Sequence, residues 1–195
     1  MKIKTPVLLC ALFFALCVIS CKSTEQAEEM PSEKIEESVK VEKQARNSEE
    51  DSEYRRSVGT EKNISLDTFN ADKAAIIKKI TELNAIMAKR DYNSWLRYID
   101  PESQKYWSST ANLAKASEKL PKKLKGLKLR TLQDYFIYVF IPSRSGRTID
   151  EIRYNSADSI RAVQVSKNDD GTNRIVVYYN FVKQDGDWKV YLPRL

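Results

Sequence analysis

The chain has 195 residues, among them three cysteines, ten tyrosines and no histidine. That inventory decides which chemistry it can carry. Without histidine, the commonest general base, the usual activator of a serine or cysteine nucleophile and the commonest metal ligand are all missing. Cys10, Cys17 and Cys21 lie within the first 21 residues. The rest of the chain therefore offers neither a thiol nucleophile nor a disulfide. No acidic run has the D-x-D-x-D-G spacing of a calcium loop, and no cofactor is expected. What remains for proton chemistry is carboxylates beside phenols: Asp134, Tyr135, Tyr138 and Asp150. Each also has an ordinary reading, because a tyrosine on a half-buried sheet usually packs with its hydroxyl at the rim.

The cysteines direct attention to the N-terminus. Lys2 and Lys4 precede 13 uncharged residues, 7–19. That run is too short for a helix crossing a hydrocarbon core, which needs ~20 residues. It fits the ~7–15 residues of a signal-peptide apolar region. Small residues in an A-x-A pattern do not follow; the run closes on Val18-Ile19-Ser20-Cys21. This tetrapeptide resembles the lipobox of bacterial lipoproteins. The resemblance implies that the Cys21 thiol takes a diacylglyceryl group, that cleavage falls just before it, and that the new amine is acylated. Two or three acyl chains suffice for stable anchoring, since each buried CH₂ contributes ~0.8 kcal/mol. Residues 1–20 are then a lipoprotein signal peptide. The expected location is the bacterial cell envelope, lipid-anchored and facing periplasm or exterior, with the membrane as a partner through Cys21.

Charge divides the remainder. The formal net charge is +6. Residues 22–62 hold eight basic and twelve acidic side chains, and residues 63–195 hold 23 basic and 15 acidic. The first segment is rich in Glu, Lys, Ser and Gln, with Tyr54 its one aromatic. Such a composition buries too little apolar surface to offset its ordering entropy. Residues 21–62 are therefore expected to be a disordered acidic tether, and 63–195 a basic folded domain. With an export signal in front, nucleic acid is not an expected partner. An envelope protein or an apolar ligand is.

The domain reads as helices followed by strands. Asn70 is placed to cap a helix running to about Arg90, with Ile76, Ile80, Leu83 and Met87 on one face and Ile77 and Ile86 beside them. Asp91 offers a fresh cap for a short helix carrying Trp95. Asp100-Pro101-Glu102 is a strong helix start, opening a third helix expected to carry Tyr106, Thr110, Leu113 and Leu120 as far as Pro121. Lys119, Lys122, Lys123, Lys125 and Lys128 then form a basic stretch interleaved with leucines. It serves as a solvated face or as a rim for anionic partners. Residues 132–141 suit either a helix ended by Pro142 or a buried strand, and the helix is preferred, with a polar loop, Ser143 to Arg147, after it. Residues 149–154 read as a first strand.

Asp185-Gly186 marks a two-residue hairpin that sets Phe181 opposite Val190, Tyr179 opposite Leu192 and Lys183 beside Trp188. An odd-length loop around Asn168–Thr172 keeps Val163 and Val165 beside Val177 and Ile175; a one-residue slip would swap faces. Trp188, Phe181 and Val177 are expected to anchor the core.

Helices leading to a curved antiparallel sheet that ends in Gly186-Asp187-Trp188-Lys189-Val190 resemble the NTF2-like, or cystatin-like cone, superfamily. The step Lys89-Arg90-Asp91-Tyr92-Asn93-Ser94-Trp95 is similar to that group's turn after its first helix. The resemblance implies an α+β fold with a cone-shaped pocket between helices and sheet. Trp95, Tyr135, Tyr138, Tyr179 and Trp188 are its candidate lining, with the five lysines as a basic rim. Some members of the superfamily are enzymes with an Asp base; most bind ligands or partners. Two functions stay open: a non-catalytic binding lipoprotein, or a histidine-free enzyme using an Asp/Tyr pair. A buried carboxylate facing the cavity would favour the enzyme.

Overall fold

A computed structural model of the chain describes residues 48–61 and 63–195. The expected signal peptide, Cys21 and the expected tether up to residue 47 lie outside the described residues. The tether reading needs correcting at its other end. Residues 48–58 are helical (α1), and this helix packs on the domain. Tyr54 meets the Phe69 ring edge-on at 5.6 Å and donates from its hydroxyl to the Ile64 carbonyl. Val58 is buried, and Glu53 pairs with Lys73 at 2.7 Å. Two apolar side chains, four residues apart, are enough once a partner helix receives them.

That partner is α2, Leu66–Lys89. It starts earlier than expected because Ser65 is its cap, accepting from the Thr68 amide. Its buried face is Phe69, Asp72, Ile76, Ile80, Leu83 and Met87, whereas Ile77 points to solvent. The next starts are where their caps put them. Asp91 accepts from the Ser94 amide ahead of α3, Tyr92–Leu96. Asp100 accepts from the Ser103 amide ahead of α4, Pro101–Trp107.

The third expected helix is broken in two, with α5 covering Thr110–Glu118. At the break, Ser108 Oγ donates to the Gln104 carbonyl at 2.7 Å and Asn112 Nδ2 donates to the Tyr106 carbonyl at 2.9 Å. The Ser108 hydroxyl shares the Gln104 carbonyl with its own amide, whereas the Asn112 side chain takes the Tyr106 carbonyl that a continuing helix would offer to the amide of Thr110. A 3₁₀ turn, Lys122–Leu124, follows.

Residues 132–144 are helical, but not uniformly so. Thr131 and Asp134 form a capping box for α6, Leu132–Tyr135. A π-helical stretch, Phe136–Phe140, leads into α7, Ile141–Arg144. The Ile141 amide donates five residues back, to the Phe136 carbonyl. Pro142 therefore does not end the helix: the widened turn admits a residue that has no amide to donate. One consequence is that Arg144 is carried inward on a helix, where a polar loop had been expected.

The sheet is an antiparallel meander in the order β1-β2-β3-β4: β1 Glu151–Ser156, β2 Ser159–Lys167, β3 Asn173–Gln184 and β4 Asp187–Tyr191. The fold is thus α+β. The last hairpin has the expected register, Phe181 with Val190 and Lys183 with Trp188. Its turn has positive φ at both Asp185 (49°) and Gly186 (79°), as a tight primed turn requires. The ladder stops at Asn180–Tyr191, one pair short of Tyr179 and Leu192. Between β2 and β3 the odd loop holds, pairing Val165 with Ile175 and Val163 with Val177.

A bulge falls where Ala162 pairs with Tyr179 and Val163 with Val177. It breaks the period-two alternation. Tyr179 and Phe181 stay buried, but Val177 is 39% exposed, so it is not the core anchor expected of it.

The space between helices and sheet is filled. Trp95 stacks on Phe136 at 4.8 Å and meets Phe140 edge-on at 5.1 Å. Phe140 reaches Tyr179 at 6.3 Å, and Tyr179 stacks on Phe181 at 5.9 Å.

Candidate functional site: a cavity walled by Arg144

Because that interior is packed, the open space lies elsewhere. A cavity of about 500 Å³ sits between the end of α4, the end of α5, the α6–π–α7 helix and residues 193–195. This is within the ~300–1,000 Å³ usual for small-molecule sites. Trp107, Leu120, Tyr135, Tyr138, Val139 and Pro142 supply much of its apolar wall. Arg144, Lys119 and Arg194 are its cations, the last paired with Glu102 at 3.3 Å, and the wall contains no Asp or Glu side chain.

Arg144 is the unusual member. It is only 9% exposed, and among the described residues no carboxylate lies within ion-pairing distance of it. Its guanidinium lies 4.1 Å from the Phe140 ring centroid and 5.4 Å from that of Tyr179, an arrangement that partly offsets desolvation. Nη1 donates to Ser143 Oγ at 2.9 Å, while Nε is buried without an acceptor. Burial pulls Arg144 below the usual guanidinium value, opposed by the Tyr135 and Tyr179 hydroxyls. It remains a cation at neutral pH.

The neighbouring phenols do not neutralise it. Burial raises Tyr135 and pushes Tyr179 up to about 12, with Arg144 acting in the opposite sense on both. Trp107, another wall residue, also has a buried Nε1 without an acceptor. A desolvated donor left unpaired costs about 1–3 kcal/mol. The cavity wall therefore includes a buried cation that no Asp or Glu side chain pairs.

A larger hollow of about 710 Å³ lies beside it, under Lys125 to Arg130. It takes in Lys125 and Lys128 of the basic stretch, but no residue of its wall holds a buried polar atom without a partner. Lys122 and Lys123 sit on the exposed 3₁₀ turn, and Lys119 lines the Arg144 cavity. Of the candidate lining, Tyr135 and Tyr138 wall that cavity. Trp95 and Tyr179 belong to the packed aromatic stack. Trp188 lies at a separate node.

That node centres on Asp72, a carboxylate missing from every sequence-based candidate set. Asp72 is 6% exposed. Its Oδ1 accepts from Trp188 Nε1 at 2.9 Å, its Oδ2 accepts from the Tyr154 hydroxyl at 2.9 Å, and Lys183 Nζ stands 3.5 Å from Oδ1. Burial and the bond to Asp72 hold the Tyr154 phenol far above its ordinary value. Both oxygens are thus engaged by protein donors, and Asp72 lines none of the cavities described above. The sequence signal was present: Asp72 is three residues after Phe69 and four before Ile76, on the buried stripe itself.

The acids once paired with tyrosines are engaged by backbone. Burial raises Asp134, but the amides of Arg130 and Thr131, at 2.8 and 2.9 Å, more than offset it and hold its carboxyl below the usual range. Asp150 accepts from the Val165 amide at 2.8 Å. Ser143 Oγ donates to the Val139 and Phe140 carbonyls, with no base beside it. Among the described residues no group of three His, Cys, Asp or Glu side chains could hold a metal ion. No helix among them is long and apolar enough to cross a membrane.

No family model matches the chain, and no solved structure matches it. The chain is similar to a protein of Treponema pallidum (strain Nichols) named an uncharacterized lipoprotein, with 35% identity over 127 residues. The alignment covers 65% of this chain and 64% of that protein, so the chain spans less than two thirds of its relative's length.

Proposed function

We propose that the chain is a lipid-anchored lipoprotein of the bacterial envelope, carried on Cys21, whose domain binds an apolar ligand and does not catalyse. The observation that carries the binding half is the Arg144 cavity, an apolar hollow with a buried cation and no Asp or Glu side chain in its wall. Catalysis by an Asp/Tyr pair would need an unsatisfied acid beside a reachable phenol. Asp72, Asp134 and Asp150 are each held by donors of the fold instead. The anchoring half is supported by the Val18-Ile19-Ser20-Cys21 tetrapeptide and by likeness to a protein named a lipoprotein. We read the helices over a four-stranded meander as an NTF2-like cone whose interior is filled with aromatic side chains, so the ligand sits beside the cone and not within it.

Mass spectrometry tests both halves. Cys21→Ser should remove the acyl mass and release the protein from membranes. A variant that keeps the wild type's acyl mass contradicts the anchor. Native spectra of the wild type purified from its own envelope should carry an additional noncovalent mass. Val139→Trp, which fills the cavity, should lose it. An adduct unchanged by Val139→Trp places the ligand elsewhere.

A further inference from the structure

We infer that the ligand of the Arg144 cavity is an amphiphile with a single carboxylate head on an apolar body, the head seated on the Arg144 guanidinium. This rests on the ligand-binding reading and adds what that reading leaves open, the chemistry of the ligand.

The first step is charge. Arg144 is the buried cation of the cavity, and no Asp or Glu side chain of the wall pairs with it. Bringing a charge out of water is costly unless it is paired. A ligand contributing one negative charge balances the wall; a dianion such as a phosphate monoester would bury an excess charge of its own. Lys119 and Arg194 also line the cavity, but both are exposed and hydrated, and Arg194 pairs with Glu102, so they do not change that balance.

The second step is hydrogen bonding. With Nη1 on Ser143 Oγ, Nε has no acceptor and no bond engages Nη2. Nη2 is the guanidinium nitrogen that is neither bonded nor fully buried, and an anionic oxygen takes a short, charge-assisted bond from it. A neutral head would leave the charge unmatched. A cationic head would be repelled.

The third step is the body. Leu120, Tyr135, Val139 and Pro142 wall the rest of the volume, and apolar surface removed from water there contributes in proportion to its area.

The test is calorimetric titration of the full chain in phosphatidylcholine nanodiscs, with empty nanodiscs subtracted. The probes are octanoate, octanol and octyl phosphate. Octanoate should bind at least about tenfold more tightly than octanol, as a charge-assisted pair requires. Arg144→Met keeps an unbranched apolar side chain. It should bring octanoate to octanol's level while octanol binding changes little. Equal affinity of octanoate and octanol for the wild type overturns the inference and leaves the ligand-binding reading standing; this comparison needs no variant to fold. Octyl phosphate binding tenfold tighter than octanoate overturns the carboxylate assignment. Absence of binding by all three also overturns it, and the noncovalent mass sought above then decides the parent reading separately.

Discussion

Asp72→Ala should cost about 3–5 kcal/mol of stability, the usual penalty for removing one partner of a buried charged network. The reason is geometric. Asp72 takes the Trp188 indole on one oxygen and the Tyr154 hydroxyl on the other, each at 2.9 Å. Those bonds join α2 to β4 and to β1, so one side chain ties the first long helix to both edge strands of the sheet. Deleting the carboxylate leaves two donors in an apolar interface with no acceptor, and leaves Lys183 without its anion at 3.5 Å. Domains are stable by only ~5–15 kcal/mol, so the variant should be largely unfolded at modest urea. Asp72→Asn keeps an acceptor for one donor and should be milder. A urea midpoint for Asp72→Ala within a few tenths of a molar of wild type, at unchanged slope, would mean the node is wet and weak.

Trp188→Ala should lose a comparable amount, about 3–5 kcal/mol for truncating a large buried aromatic. Trp188 is buried beneath α2. Its ring also receives Lys183 Nζ at 5.1 Å. Part of the loss is shared with Asp72, since removing the indole leaves Oδ1 with only Lys183 Nζ, at 3.5 Å. The double variant should therefore cost less than the two single losses added, by an amount within the 0.5–3 kcal/mol typical of contacting residues. Equilibrium unfolding of all four chains gives that coupling. Strict additivity would show that the Trp188–Asp72 bond contributes nothing to the folded state.

How much of this was legible in the sequence differs from element to element. Caps and turns were, where the chemistry is local. Asp91 and Asp100 start helices because a short carboxylate reaches an amide three residues on. Asp185-Gly186 sets the hairpin register because both positions tolerate positive φ. The stripe Ile76, Ile80, Leu83 and Met87 was legible from its period. Asp72 lies on the same stripe, so its burial could be read, but its partners, 82 and 116 residues away, could not.

The other misreadings have similar causes. Val177 was assigned to the core by counting in twos, and a bulge invisible to counting turned it out. Arg144 was placed in a loop because Pro142 normally stops a helix, and only a π-turn carries the chain past it. The candidate site was thus half legible. Tyr135 and Tyr138 were named as lining, but the cation that gives the cavity its character stood two residues beyond Pro142, where the helix was expected to have ended. The end of the tether was misread because Tyr54 and Val58 are too few to mark a helix until α2 receives them.

The central claim is that a ligand occupies the space between Trp107 and Arg144, and the side-chain N–H resonances of those two residues report on it most directly. The chain has three tryptophans; Trp107 lines the cavity, Trp95 is stacked in the core and Trp188 is bonded to Asp72. In isotope-labelled protein held in nanodiscs, octanoate should move the Trp107 Nε1–H and Arg144 Nε–H signals saturably. The Trp95 and Trp188 indole signals should stay in place. Octanoate that leaves Trp107 and Arg144 unmoved, or that shifts only the amides of residues 125–130, would contradict the account.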